Sequence, residues 1–177
     1  ASFGLAGHAV RVIDPDMVAT QARLDEVWGR ATAAMGEEGA LRPVILPAPE
    51  GPAPALVQEC LPERLALKRA ARATIEPLLD QDTLIASSSS GLSPDDLQQG
   101  LAGAGRLFIA HPCNPPWLMP VVELSGGAAT TPETLAHARA FYEGLGKRVL
   151  TLSKPMPGHL VNRLQAALWR EAVHLVR

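Results

Sequence analysis

With 177 residues, 47% hydrophobic and 19% charged, the chain has the composition of an ordinary globular protein that can bury one good core and the start of a second. A net charge of −2 leaves no electrostatic footprint for nucleic acid or an anionic membrane. Only Cys60 and Cys113 are present, which excludes a disulfide framework or a cysteine-rich zinc site and points to a reducing cytoplasm.

No apolar run reaches the roughly 18 residues of a membrane span, and no signal peptide is visible. The chain has no initiator Met, opens on what reads as a helix end, Ala1 to Gly7, and stops inside an amphipathic helix, Leu160 to Arg177, as a fragment would. Gly7 suits a left-handed helix cap, and His8 reads as a surface turn residue. Ala9 to Ile13 follows as a strand with Asp14 at its end. Asp14-Pro15-Asp16 then opens a helix predicted over Met17 to Met35, with Val18, Leu24, Val27, Trp28 and Ala31 at helical spacing. From Gly36 to Pro54 five prolines break the pattern into a loop, in which only Val44-Ile45-Leu46 has the makings of a strand.

Alternation resumes with a strand over Ala55 to Glu59 and a helix from Pro62-Glu63 through about Leu79. The apolar run Thr83 to Ala86 leads into the tract Ser87-Ser88-Ser89-Ser90. Ser93-Pro94-Asp95-Asp96 is a helix start: Ser as cap, Pro at the first position, acids on the positive end of the dipole. Thr131-Pro132-Glu133 repeats the device for a helix to about Leu145. Lys147 to Leu152 reads as a further strand, and the last helix begins near Leu160. Strands alternating with helices through short loops imply an α/β fold whose sheet is parallel in its first part. Ligands of such sheets bind outside the carboxyl ends of the strands, where Asp14, Ser90 and His111 fall.

The chemistry concentrates in Leu84 to Glu123. His111 closes the apolar run Leu107 to Ala110, a proline-rich turn reverses the chain, and a second apolar run from Leu118 ends on Glu123. If both runs are strands, the turn returns Glu123 to His111, the arrangement of a carboxylate orienting an imidazole base. Taken singly, each is also explained as structure: a hydrogen-bonded His, a solvated strand-end Glu, a serine turn. Asp14 stands where dinucleotide folds place the acid that binds ribose hydroxyls, and a carboxylate there favours NAD over NADP; a helix cap explains it equally well. No G-x-G-x-x-G is present. Glu63 and Lys68, five residues apart, read as solvated helix charges on periodicity alone, and Asn162 as a capping residue in the first turn of the last helix.

Four stretches together resemble the 3-hydroxyacyl-CoA dehydrogenase family: Ile85 to Leu92, His111-Pro112-Cys113-Asn114-Pro115-Pro116, Val121-Val122-Glu123, and Pro157-Gly158-His159-Leu160-Val161-Asn162-Arg163-Leu164. Their order and spacing agree over nearly the whole chain. Glu59-Cys60-Leu61-Pro62-Glu63 with Lys68 adds to them. The double proline after Asn114 and the run Gln58 to Glu63 are most similar to the branch of L-gulonate 3-dehydrogenase (lambda-crystallin) and carnitine 3-dehydrogenase.

The resemblance implies a Rossmann-like, mostly parallel sheet flanked by helices over residues 1–157, with residues 158–177 as the first helix of an all-helical dimerisation domain. It also implies that the family's first strand and glycine loop lie outside the chain, and that the segment from Asp14 to Glu59 is shorter than usual. The implied reaction is NAD-dependent oxidation of the 3-hydroxyl of a small 3-hydroxy acid or 3-hydroxyacyl compound. His111 would be the base, Glu123 its orienting acid, and Ser90 and Asn162 donors to the reacting oxygen. Asp14, Glu63, Lys68, Ser90 and Asn114 would line the NAD site, and no metal is implied. The expected partners are a small-molecule substrate and a second copy of the intact protein in a homodimer. Two rival readings stay open: a non-catalytic, crystallin-like protein on the same fold, and an acyl-CoA-specific dehydrogenase. Glu37-Glu38 argues against the second, because it would repel CoA phosphates.

Overall fold

A computed structural model describes residues 1–177. In chain order the elements are α1 (Ser2–Leu5), β1 (Arg11–Ile13), α2 (Met17–Met35), β2 (Val44–Leu46), β3 (Leu56–Glu59), α3 (Leu65–Ile75), β4 (Leu84–Ser87), α4 (Pro94–Gln98), β5 (Leu107–Pro112), β6 (Val121–Gly126), α5 (Pro132–Gly144), β7 (Arg148–Thr151) and α6 (Val161–Leu175). Strands β3-β4-β5-β6-β7 form a five-stranded sheet in that spatial order, parallel except for the antiparallel pair β5–β6. The fold is thus α/β with a mostly parallel central sheet flanked by helices.

Alternation along the strands builds the core. Leu84, Ala86, Phe108, Ala110, Val122 and Leu124 point to one face, where Ala138 and Tyr142 of α5 cover them. Ile85, Leu107 and Ile109 point to the other, against Leu97 of α4. Phe108 and Ile109 are wholly buried, so β5 carries apolar side chains on both faces, as a strand sandwiched between helices does.

The expected helix starts hold at three places. Asp16, Ser93 and Thr131 each accept a hydrogen bond from the N–H three residues on, satisfying an orphan donor of the first turn. Two expectations need correction. The strand over Ala9 to Ile13 does not join the main sheet: β1 pairs only with β2, in a separate two-stranded parallel sheet. And α3 begins at Leu65, not at Pro62-Glu63, because Arg64 is extended at its cap and Glu63 is engaged elsewhere.

α6 buries none of its residues, and Leu164, Leu168, Trp169 and Leu175 along it are exposed. No helix is long and apolar enough to cross a membrane.

Candidate active site

The antiparallel register of β5 and β6 sets His111 directly opposite Glu123, so both side chains leave the same face of the sheet. The imidazole Nδ1 lies 2.9 Å from Glu123 Oε2. A carboxylate can only accept, so Nδ1 carries the proton and Nε2 presents a lone pair. Ser90, three residues past the end of β4, places its Oγ 3.0 Å from that Nε2 and donates to it. The result is a relay from acid to imidazole to hydroxyl, at the carboxyl ends of β4 and β5.

Glu123 is wholly buried, and its other oxygen is also occupied: Oε1 accepts the N–H groups of Leu160 (2.7 Å) and Val161 (3.0 Å), at the start of α6. The helix N-terminus supplies donors and positive dipole potential that a buried carboxylate requires. Glu123 therefore joins three things: the sheet, the imidazole and the last helix.

Behind the serine tract lies a second polar cluster. Glu59, at the end of β3, accepts from Lys68 Nζ (2.9 and 3.1 Å), from Ser87 Oγ (2.6 Å) and from the Leu61 N–H (2.5 Å). Lys68 also donates to Leu61 O at 2.9 Å and lies 3.4 Å from Glu63. Glu63 Oε1 in turn gathers the Ser89 hydroxyl and the N–H groups of Ser90, Gly91 and Leu92. Burial opposes ionisation of Glu63, but the Ser89 hydroxyl, the Gly91 and Leu92 N–H groups and the Lys68 charge together outweigh it and draw its pKa down to about 2. Its carboxylate thus fixes the loop that carries Ser90.

Of the residues expected to matter, the fold brings together His111, Glu123, Ser90, Glu63 and Lys68. Lys68, expected beside the cofactor, is 1% exposed and pairs its ammonium with Glu59 and Glu63. Asn162 stands half-buried in the first turn of α6, outside the hydrogen bonds that link His111, Ser90 and Glu123. Asn114 is exposed at the turn after β5. Asp14, half-buried at the end of β1, accepts the Asp16 N–H at 2.8 Å, so it shapes its own turn while Asp16 caps α2.

Two participants had no expected role. Glu59 was visible only as part of a resemblance. His159 is 2% exposed, its ring centroid is 4.7 Å from that of His111, and it sits in the left-handed region at φ 49°. A non-glycine residue there costs of order 1–3 kcal/mol and persists only where its surroundings impose it. Burial, and then the Glu123 charge, push the Cys113 thiol up.

For NAD, two polar groups offer a fit: the half-buried Asp14 carboxylate at the end of β1, with one oxygen outside its own turn, and the half-buried Ser90 hydroxyl beside His111 at the rim of the five-stranded sheet. No glycine-rich cradle for the pyrophosphate is among these residues.

The comparisons give the family. The profile described as "3-hydroxyacyl-CoA dehydrogenase, NAD binding domain" matches residues 52–155, more than half of the chain, and the chain belongs to that family, whose nucleotide-binding domain takes NAD. Among similar proteins, the L-carnitine dehydrogenase of Streptomyces griseus is 48% identical over 120 residues, which are 68% of this chain and 36% of that protein. The L-carnitine dehydrogenase/betainyl-CoA thioesterase of Rhizobium meliloti is 38% identical over 187 residues, covering 100% of this chain and 37% of that protein. The chain therefore spans less than two-fifths of the length of these relatives. Among solved structures, the NAD+ dependent dismutase FHMPC 5-dehydrogenase superposes with a TM-score of 0.86 at 29% identity, over 99% of this chain and 59% of its own. The 3-hydroxybutyryl-CoA dehydrogenase of Escherichia coli K12 shares the fold, with a TM-score of 0.85 at 24% identity over 99% of this chain and 40% of its own.

Proposed function

We propose that this chain is the nucleotide-binding part of an enzyme that oxidises the 3-hydroxyl of a small 3-hydroxy acid, and that L-carnitine is the first substrate to try. The observation that carries the reading is the relay Glu123–His111–Ser90, with Nε2 of His111 left as a proton acceptor at the rim. NAD, when bound, supplies the hydride acceptor. His111 Nε2 takes the hydroxyl proton. Glu123 holds the Nδ1 proton in place and stabilises the imidazolium that results. Ser90 then turns its hydroxyl from Nε2 to the substrate oxygen, where negative charge grows. Asn162, one turn into α6, is a second donor to that oxygen. Asp14 receives the adenosine ribose, Asn114 lines the rim next to His111, and Glu63, assisted by Lys68 and Glu59, fixes the loop around the cofactor end.

A free acid is favoured over a CoA thioester by Glu37 and Glu38, both exposed just past α2, which repel phosphates. We further propose that residues 1–157 form the nucleotide-binding domain, that residues 158–177 are the root of a helical domain, and that the full-length parent works as a cytoplasmic homodimer. The test is NADH formation by the full-length parent from L-carnitine, L-gulonate and 3-hydroxybutyryl-CoA. Turnover of L-carnitine supports the reading; turnover of the CoA thioester alone moves the substrate to the acyl-CoA branch. NAD binding with no turnover of any of them favours a crystallin-like role.

A further inference from the structure

We propose that His159 is a positioning residue of this site: a second imidazole that keeps His111 in the single orientation shared between Glu123 and Ser90. The inference rests on the reading above, in which His111 accepts the proton.

His159 Nε2 lies 3.0 Å from the carbonyl oxygen of Ser89. A carbonyl only accepts, so Nε2 carries the hydrogen and Nδ1 is left with a lone pair. That Nδ1 is buried and has no hydrogen-bond partner. A buried acceptor without a partner is a cost, and a phenyl ring would fill the same volume without it. The imidazole is therefore not explained by packing alone.

What the ring does is visible in its neighbours. Its ring centroid lies 4.7 Å from that of His111, with the two planes tilted by 40°. The four-residue stretch Gly158 to Val161, His159 included, holds both hydrogen-bond partners of His111. Gly158 N–H donates to Ser90 O at 2.7 Å, His159 to Ser89 O, and Leu160 and Val161 N–H to Glu123 Oε1. The backbone reaches this arrangement through consecutive left-handed residues, Gly158 at φ 78° and His159 at φ 49°. Glycine takes that conformation freely; a histidine held in it beside a candidate base is strain placed where function is expected. The two rings are fixed in opposite tautomers, His111 as Nδ1–H and His159 as Nε2–H. With the His159 ring packed against it, the imidazole of His111 is kept from swinging away from Glu123 when Ser90 turns to substrate.

The test uses the full-length parent and two variants. H159N removes the ring and suits the left-handed backbone; H159F keeps a ring and removes the tether to Ser89. Long-range proton–nitrogen spectra of the imidazoles report each tautomer, and kcat and KM are read with L-carnitine and NAD. In the wild type His111 is expected as Nδ1–H and His159 as Nε2–H. In H159N the His111 signals average between tautomers, and kcat falls about 10²-fold with KM for NAD unchanged, as expected for a displaced reacting group. H159F falls between the two. Folded variants in which His111 keeps its Nδ1–H state and kcat is unchanged overturn the proposal, as does a rise in KM for NAD with kcat kept. Should H159N not fold, H159F decides by the same readouts. If the wild type does not turn over L-carnitine, the substrate reading fails while the spectra still decide the role of His159.

Discussion

The five-stranded sheet and the β1–α2–β2 unit both set acids on or next to strands, and they treat them in opposite ways. Glu123 is wholly buried, and both of its oxygens are committed, one to His111 and one to the start of α6. Glu59 is likewise enclosed, by Lys68, Ser87 and Leu61. Asp14 is half-exposed and accepts only the Asp16 N–H of its own turn. The five-stranded sheet has two covered faces, and within them a carboxylate must be given fixed donors. The two-stranded sheet of β1 and β2 encloses little, so Asp14 keeps an oxygen for an outside partner. Fixed acids orient; loosely held acids bind.

The difference is sharpest in stability. Lys68→Met leaves Glu59 buried without its cation, and should cost about 3–5 kcal/mol in urea unfolding, whereas Asp14→Ala should stay within about 0.5 kcal/mol. Comparable losses at both positions would erase the contrast. Next in size, Ser90→Ala in the full-length parent should lower kcat about 10²-fold while NAD still binds, measured by steady-state kinetics beside a binding titration. Asp14→Asn should do the reverse, weakening NAD about tenfold by NADH fluorescence with kcat nearly kept.

The smallest effect concerns Glu63. Its folded pKa of about 2 lies below the ordinary 4.5, so its stabilising contribution is complete above pH 4.5 and is lost as pH falls from there towards 2. Glu63→Gln should therefore lower stability by a small constant amount above pH 4.5 and flatten the acid limb between pH 4.5 and 2. Because the side chain is 41% exposed, solvent screening keeps the change small.

Much of this was legible in the residues. The three caps at Asp16, Ser93 and Thr131 announce themselves through local chemistry, and the apolar runs around Phe108 and Leu124 mark the buried strands. The meeting of His111 with Glu123 follows from a turn between two strands, which the residue pattern suggests. Glu59 and Lys68 were not legible as a pair, because they sit on different elements, β3 and α3, and only the tertiary fold brings the lysine to the carboxylate. The early start expected for α3 failed for a related reason: Glu63 caps a distant loop and not its own helix. Pairing of β1 with β2 alone is invisible locally, since three apolar residues fit either sheet. His159 gave no signal beyond a histidine after a glycine. Its burial, its left-handed backbone and its contact with His111 exist only in three dimensions.

The measurement that bears most directly on the central claim is kcat for NADH formation from L-carnitine by the full-length parent carrying His111→Gln, beside the unchanged protein. Loss of the base should lower kcat by about 10²–10⁴-fold while NAD binding persists. A His111→Gln protein that turns over at the wild-type rate would contradict the account.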